Sequence, residues 1–202
     1  NKIKMIDTLT SIITYLSYII MLKVLFKFSY FIYKNFIRKQ KDHIKKYGKD
    51  TWALVTGGSD GIGKGITTEL AKMGFNVLIA ARTETKIKNL TEDLKKNYKI
   101  KTDYIVVDFN SIEQSFENYE NLFNSHFINK DITILVNNIG SVQPKGILEM
   151  KDDETMQQIN MNTYPQAYLS KIFINHRKEN GAIINLSSIS AEGCVHLHGM
   201  YG

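Results

Sequence analysis

The chain has 202 residues, 43% hydrophobic and 23% charged, which suits one packed domain with an appendage and excludes wholesale disorder. Its single cysteine, Cys194, excludes an intramolecular disulfide framework and any multi-cysteine metal cluster. The net charge of +6 is local: residues 1–49 carry 11 Lys/Arg against two acids and residues 50–202 carry 15 against 18, a distribution that argues against nucleic acid as a partner.

The first residue is Asn1 rather than Met and the last, Gly202, falls in mid-pattern, so a piece of a longer protein is expected. From Thr8 to Leu22 run 15 residues without a charge; Lys23 and Lys27 interrupt, and apolar residues then continue to Tyr33. A membrane-spanning helix needs about 20 mostly apolar residues, so the first stretch is short and the longer one carries two lysines. Those lysines are four apart, share one helical face and can snorkel toward head groups. Tyr15, Tyr18, Tyr30 and Tyr33 suit a membrane interface. Seven Lys/Arg follow between Lys34 and Lys49, opposed by Asp42 alone, which predicts a cytosolic side for the rest of the chain. No small-residue cleavage site follows, against a removed signal peptide. Residues 1–49 are therefore expected to form a membrane-anchoring segment and basic linker, either spanning the bilayer or lying on it as an amphipathic helix.

After Gly48 strands and helices alternate. Trp52–Val55 reads as a buried strand entering the turn Thr56-Gly57-Gly58. Ile66, Leu70 and Met73 mark a helix over 62–73 that Gly74 stops. Asn76–Ala81 is a second strand, followed by a Lys-rich helix with Ile87, Leu90 and Leu94. Tyr104–Val107 is a third strand ending at Asp108, and a polar helix with Ile112, Phe116, Tyr119 and Phe123 leads to the fourth, Ile132–Val136. A long helix is predicted over 153–174, bent at Pro165, and Ala182–Leu186 is the fifth strand. This order predicts an α/β fold: residues 50–202 form a Rossmann-type, doubly wound parallel sheet, truncated after the fifth strand, whose last strand is left as an open apolar edge.

Thr56-Gly57-Gly58-Ser59-Asp60-Gly61-Ile62-Gly63 lies between the first strand and first helix. Glycines let a backbone turn tightly and approach a pyrophosphate at a helix N-terminus; a plain tight turn is the alternative, but the strand-loop-helix context is the one dinucleotide binding demands. Where NAD enzymes place an acid to hold the ribose 2′-hydroxyl, the second strand here ends in Arg82. A guanidinium there suits a 2′-phosphate, so NADP(H) is the expected cofactor, with a solvated surface arginine as the alternative. Lys86 can assist. His196 and His198 offer two ligands without a carboxylate or cysteine partner, so loop histidines and no metal are expected.

The Gly-x-x-x-Gly-x-Gly spacing resembles the short-chain dehydrogenase/reductase family. So do Asn137-Asn138-Ile139-Gly140 after the fourth strand, with Ile139 where the family has Ala, then Asn160-Met161-Asn162, and Gly181 to Ser188 around the fifth strand. Tyr201 follows Ser188 by 13 residues, the family's serine-to-tyrosine spacing. The resemblance implies adenine contact by Asp108, cofactor contacts by Asn137, Asn138 and Gly140, and a catalytic set of Asn162, Ser188 and Tyr201. In that set Ser188 polarises a ketone, Tyr201 supplies the proton, and Asn162 holds a water. The family's lysine, four residues after the tyrosine, would fall beyond Gly202, so residues 1–202 alone are expected to be inactive or nearly so. The duller readings are a strand-end cap for Ser188, a helix-backbone contact for Asn162 and an ordinary aromatic for Tyr201.

With its anchor, the Tyr47–Trp52 lead-in and Thr56–Lys64, the chain is most similar to very-long-chain 3-oxoacyl-CoA reductases and 17-beta-hydroxysteroid dehydrogenases within that family. That likeness implies an NADPH-dependent reductase of lipid-like ketones in the endoplasmic reticulum membrane, facing the cytosol and able to pair as a homodimer. The alternatives are a membrane-tethered, nucleotide-binding pseudoenzyme and a reductase of some unrelated carbonyl.

Overall fold

The computed structural model describes residues 2–38, 42–177, 180–193, 196–197 and 201. Cys194, His198 and Gly202 lie outside them. The chain divides into two units, Asn1–Asp42 and His43–Gly202.

In the first unit, helix α1 (Lys2–Ile32) continues into a π-helical turn, Tyr33–Ile37. Its 31 residues extend about 46 Å, more than a hydrocarbon core of about 30 Å. Ile6–Ile37 is long and apolar enough to cross a membrane by length and composition. Ile12, Leu16, Ile19, Leu25, Phe28 and Phe31 are all exposed. Lys23 and Lys27 share a shallow groove with Ile19, Leu22 and Phe26, the common face their spacing predicts. The hydroxyls of Thr8, Thr10, Ser11, Thr14 and Ser17 donate to carbonyls three or four residues earlier at 2.7–2.9 Å. Such back-bonding satisfies each hydroxyl within the helix and lowers the cost of placing it in lipid.

The second unit opens with a short helix α2 (His43–Tyr47), whose Ile44 and Tyr47 pack against the core. The division therefore falls earlier than the expected 49/50 boundary. Strands β1 (Trp52–Thr56), β2 (Asn76–Ala81), β3 (Thr102–Val106), β4 (Ile132–Asn137) and β5 (Ala182–Asn185) form one parallel sheet in the order β3-β2-β1-β4-β5. Helices α3 (Gly61–Lys72) and α4 (Glu84–Tyr98) cover one face; α5 (Phe116–Asn129) and α7 (Tyr164–His176), with α6 (Asp152–Asn162) between them in the chain, serve the other. The two cores follow strand alternation. Ala53, Val55, Val77 and Ile79 face Leu70, Ile87, Leu90 and Leu94, whereas Leu54, Leu78 and Leu135 face Tyr119, Phe123, Leu169 and Phe173. A register shift in β4, where Trp52 pairs with Ile132 but Ala53 with Ile134, puts Ile132 and Ile134 on opposite faces.

Local chemistry sets the boundaries. Gly74 at φ +94° ends α3: its N–H donates to Ala71 O at 3.0 Å and Phe75 N–H to Leu70 O at 3.1 Å, a Schellman closure that buries Phe75. The helix predicted over 153–174 breaks at Thr163, because Pro165 has no N–H for the ladder and sits in the first turn of α7. β3 stops at Val106, so Asp108 lies in the turn beyond it, and Ile112 precedes α5 rather than joining it. Among the described residues β5 pairs with β4 alone, leaving Ile184 44% exposed at the expected open edge.

A polar cluster joins β3 to α5. Lys130 Nζ donates to Asp103 Oδ2 at 2.8 Å and to His126 Nδ1 at 3.3 Å, and lies 5.3 Å above the Trp52 ring. Burial, then the Lys130 charge, push the His126 pKa down despite Asp103 nearby. Burial raises Asp103, but the Lys130 hydrogen bond and charge win and hold its carboxyl below the usual range. Because the folded His126 pKa lies below its unfolded value of about 6.5, its contribution to stability is full above that pH and declines as the pH falls. Urea midpoints of the chain in neutral-detergent micelles should therefore drop between about pH 6.5 and pH 5, and His126→Gln should flatten that drop.

Candidate nucleotide and substrate clefts

The site grows from the point where the sheet reverses direction, between β1 and β4. There Thr56 Oγ accepts the N–H groups of Asn138 and Ile139 at 2.9 and 3.1 Å and donates to Val136 O at 3.3 Å. Asn138 Nδ2 donates back to Thr56 O and Gly57 O at 2.9 and 3.2 Å. Two strand ends are thus stitched together, which opens a crevice beyond them.

Gly57 turns the chain at φ +62°, and Asp60 caps α3, accepting the Gly61 N–H through Oδ1 at 2.8 Å. Gly63 has no room for a side chain: a Cβ would lie 2.2 Å from the Gly57 carbonyl oxygen. At Gly58 it would lie 2.8 Å from Thr67 Oγ, which instead donates to Gly63 O at 2.8 Å. The loop consequently presses its backbone onto the first turn of α3, whose early N–H groups have no intrahelical acceptor. This is the cradle a pyrophosphate needs, and the residues fit a dinucleotide.

Two clefts meet here. The first, about 320 Å³, is lined by Gly57, Ser59, Asp60, Arg82, Lys86 and Asp108, among others. The second, about 310 Å³, is lined by Ile62, Asn138, Asn162, Gln166, Ser188 and Tyr201, among others. Ile139 and Gly140 belong to both walls. In the first cleft Asp60 Oδ2 accepts from Lys86 Nζ at 2.5 Å, and that bond with the Gly61 N–H holds its carboxyl below the usual range. Asp108 accepts the Asn110 N–H through Oδ1 at 3.0 Å.

The predicted catalytic residues Asn162, Ser188 and Tyr201 share the second cleft. Both ends of the Asn162 amide are occupied, Oδ1 by Ser141 N–H and Nδ2 by Ser141 O, each at 2.8 Å. Its side chain therefore braces the loop after β4. Ser188 Oγ accepts the Ser190 N–H at 3.2 Å, capping the 3-10 turn Ile189–Ala191. Asn137 lines neither cleft. It is fully buried, with Nδ2 donating to Asn185 Oδ1 at 2.8 Å and Ser170 Oγ at 3.1 Å, so it holds β5 and α7 to β4 instead of reaching into the crevice. Sequence reasoning passed over Ser141, Gln157 and Met161 in the first cleft and Gln166 and Asn185 in the second. Asn185 is a polar residue in an otherwise apolar strand, a signal that was visible; Gln166 is one helical turn after Asn162, a relation hidden by the break at Pro165. Among the described residues no three His, Cys, Asp or Glu side chains gather where a metal could bind.

The family model for short chain dehydrogenases matches residues 51–202. Inactive hydroxysteroid dehydrogenase-like protein 1 of Homo sapiens is 33% identical over 151 residues, covering 73% of this chain and 44% of that protein. Very-long-chain 3-oxoacyl-CoA reductase of Schizosaccharomyces pombe is 33% identical over 161 residues, covering 76% and 46%. The chain thus spans less than half the length of these relatives. Among solved structures, L-sorbose reductase of Gluconobacter frateurii, complexed with NADPH and L-sorbose, superposes with a TM-score of 0.68 at 24% identity, covering 76% of this chain and 58% of that one.

The glycines separate by space alone. Gly63→Ala should displace the loop and lower the urea midpoint, because the Cβ would meet backbone. Gly65 has nothing within 4 Å of a Cβ, so Gly65→Ala in the same helix should raise stability by up to about 1 kcal/mol.

Proposed function

The chain belongs to the short-chain dehydrogenase/reductase family, and on that premise we propose that it binds NADP(H) and serves the reduction of a lipid-like ketone, a 3-oxoacyl-CoA or a steroid ketone, at a membrane. One observation carries the cofactor reading: Arg82, at the exit of an acid-free β2, lines the same cleft as the glycine loop. A guanidinium can hold a 2′-phosphate through paired charge-assisted hydrogen bonds, and an acid at that position would repel it. Gly57, Gly58, Ser59, Asp60, Gly61, Ile62 and Gly63 would hold the pyrophosphate and its ribose, with Thr56, Asn138 and Gly140 fixing the loop and Asp108 beside the adenine. Asn137 contributes by holding the crevice wall.

NADPH, when bound, supplies a hydride. This chain's residues handle the oxygen that receives the electrons. Ser188 Oγ–H donates to the ketone oxygen, and Tyr201 gives it a proton once a nearby cation stabilises the phenolate. Asn162 acts through its main chain, since its amide is spent on Ser141. The apolar α1 and the Lys/Arg run from Lys34 to Lys49 support a membrane anchor with residues 50–202 on the cytosolic side, and the likeness to very-long-chain 3-oxoacyl-CoA reductases makes the endoplasmic reticulum the membrane we assign. Substrates that partition into the bilayer would then arrive by diffusion in its plane.

A second reading, a nucleotide-binding pseudoenzyme, is favoured by a relative whose name includes the word inactive. Binding and turnover separate the two. On the first reading, fluorescence titration should give tighter binding of NADPH than NADH, and Arg82→Ala should weaken NADPH by about tenfold or more with little change for NADH. In the full-length protein, Ser188→Ala and Tyr201→Phe should each lower ketone-dependent NADPH oxidation by about 100-fold or more while leaving NADPH affinity unchanged. Binding without turnover of any 3-oxoacyl-CoA or steroid ketone would favour the pseudoenzyme; failure to bind NADPH would overturn both readings.

A further inference from the structure

The nucleotide cleft holds a feature that a 2′-phosphate should not tolerate. Asp60 puts a carboxylate on the wall that Arg82 also lines, and its Oδ1 is tied to the Gly61 N–H as the cap of α3. Its other oxygen is covered by Lys86 Nζ at 2.5 Å, from a residue 26 positions along the chain in the first turn of α4. Lys86 lines the same cleft, as does Thr83, whose hydroxyl makes no bond to the first turn of α4. The acid of that turn, Glu84, is engaged by Lys88 at 2.8 Å.

The Asp60–Lys86 pair does little for folding. Its side chains are 70% and 55% exposed, and ion pairs that open to water contribute little stability. Its effect is on the charge a ligand meets. An ammonium has three donors, and Asp60 takes one, which leaves two for a phosphate. A 2′-hydroxyl, being neutral, is almost indifferent to whether Asp60 is covered; a phosphate bearing close to two negative charges is not.

We propose that Lys86, held across the cleft by Asp60, is a second cationic contact for the 2′-phosphate and a determinant of selectivity alongside Arg82. This rests on the NADP(H) reading above and adds to it an assignment of two residues with opposed effects. Lys86 both masks the Asp60 carboxylate and offers its remaining donors to the phosphate. Asp60 keeps a long, flexible side chain at the cleft wall, and it penalises a phosphate whenever that side chain is missing.

The test is equilibrium binding, read by fluorescence, of NADPH and NADH to the chain in neutral-detergent micelles. Lys86→Ala should weaken NADPH by about tenfold or more and NADH by less than about twofold. Lys86→Arg, which keeps the charge, should hold NADPH within about threefold of the parent. Adding Asp60→Asn, which preserves the helix cap, to Lys86→Ala should restore NADPH affinity by at least about threefold by removing the bared carboxylate. Equal losses for the two nucleotides, or no recovery in the double variant, overturn the proposal while leaving the cofactor reading intact. If the parent chain binds neither nucleotide, both fall together.

Discussion

The α-carbon of Gly63 sits so close to the carbonyl of Gly57 that no side chain fits between them, and the second unit is organised around that approach. It brings the start of α3 against the end of β1, where the helix N–H groups are gathered at the mouth of the crevice. Thr56 and Asn138 then lock the same corner to β4 with hydrogen bonds in both directions, so the loop cannot open without separating the two central strands. Rigidity at this corner comes from polar bonds between neighbouring strand ends, while the two apolar layers beneath supply the bulk of the stabilisation.

Four asparagines near this corner divide the work by depth. Asn138, just past β4, ties loop to loop; Asn137, the last residue of β4, is buried and joins β4 to Asn185 of β5 and Ser170 of α7. Asn162 braces Ser141 from the end of α6, close enough to Gly140 that a Cβ there would lie 3.0 Å from its Oδ1. At Asn162 the amide gives and accepts at once, bonding a backbone N–H and C=O together, while Asn138 and Asn137 each use the two donors of Nδ2 to join two partners. The cost of this economy is visible at Asn137, whose Oδ1 finds no partner among the described residues.

Much of this was legible in the chain. Strand positions followed from short apolar runs, α3 from its 3.6-residue pattern and glycine stop, and the glycine loop from its place between strand and helix. The bend at Pro165 was legible too, since a missing N–H is a local fact. What pattern could not supply was side-chain direction. The neighbours Asn137 and Asn138 read as one motif, yet the first ends the strand and the second begins the loop, and only the partners Thr56, Ser170 and Asn185 tell them apart. The flip of Ile132 relative to Ile134 was likewise invisible, because both are isoleucines and the shift lies in the pairing of β4 with β1. Lys86 was legible as an assisting cation near Arg82, but its bond to Asp60, 26 residues earlier, is a tertiary relation that local spacing does not carry.

The hydroxyls of α1 carry a last consequence. Thr8, Thr10, Ser11, Thr14 and Ser17 all donate to the helix's own carbonyls, so these five hydroxyls are spent within the helix rather than on recognising a partner in a bilayer. What such a helix offers its surroundings is oiliness and length, quantities shared by a very large number of sequences. Swapping one isoleucine for another aliphatic residue leaves them intact, whereas the corner at Gly63 tolerates no replacement at all. The two units of this chain are thus written in different kinds of code: one is read as an average over its letters, the other letter by letter.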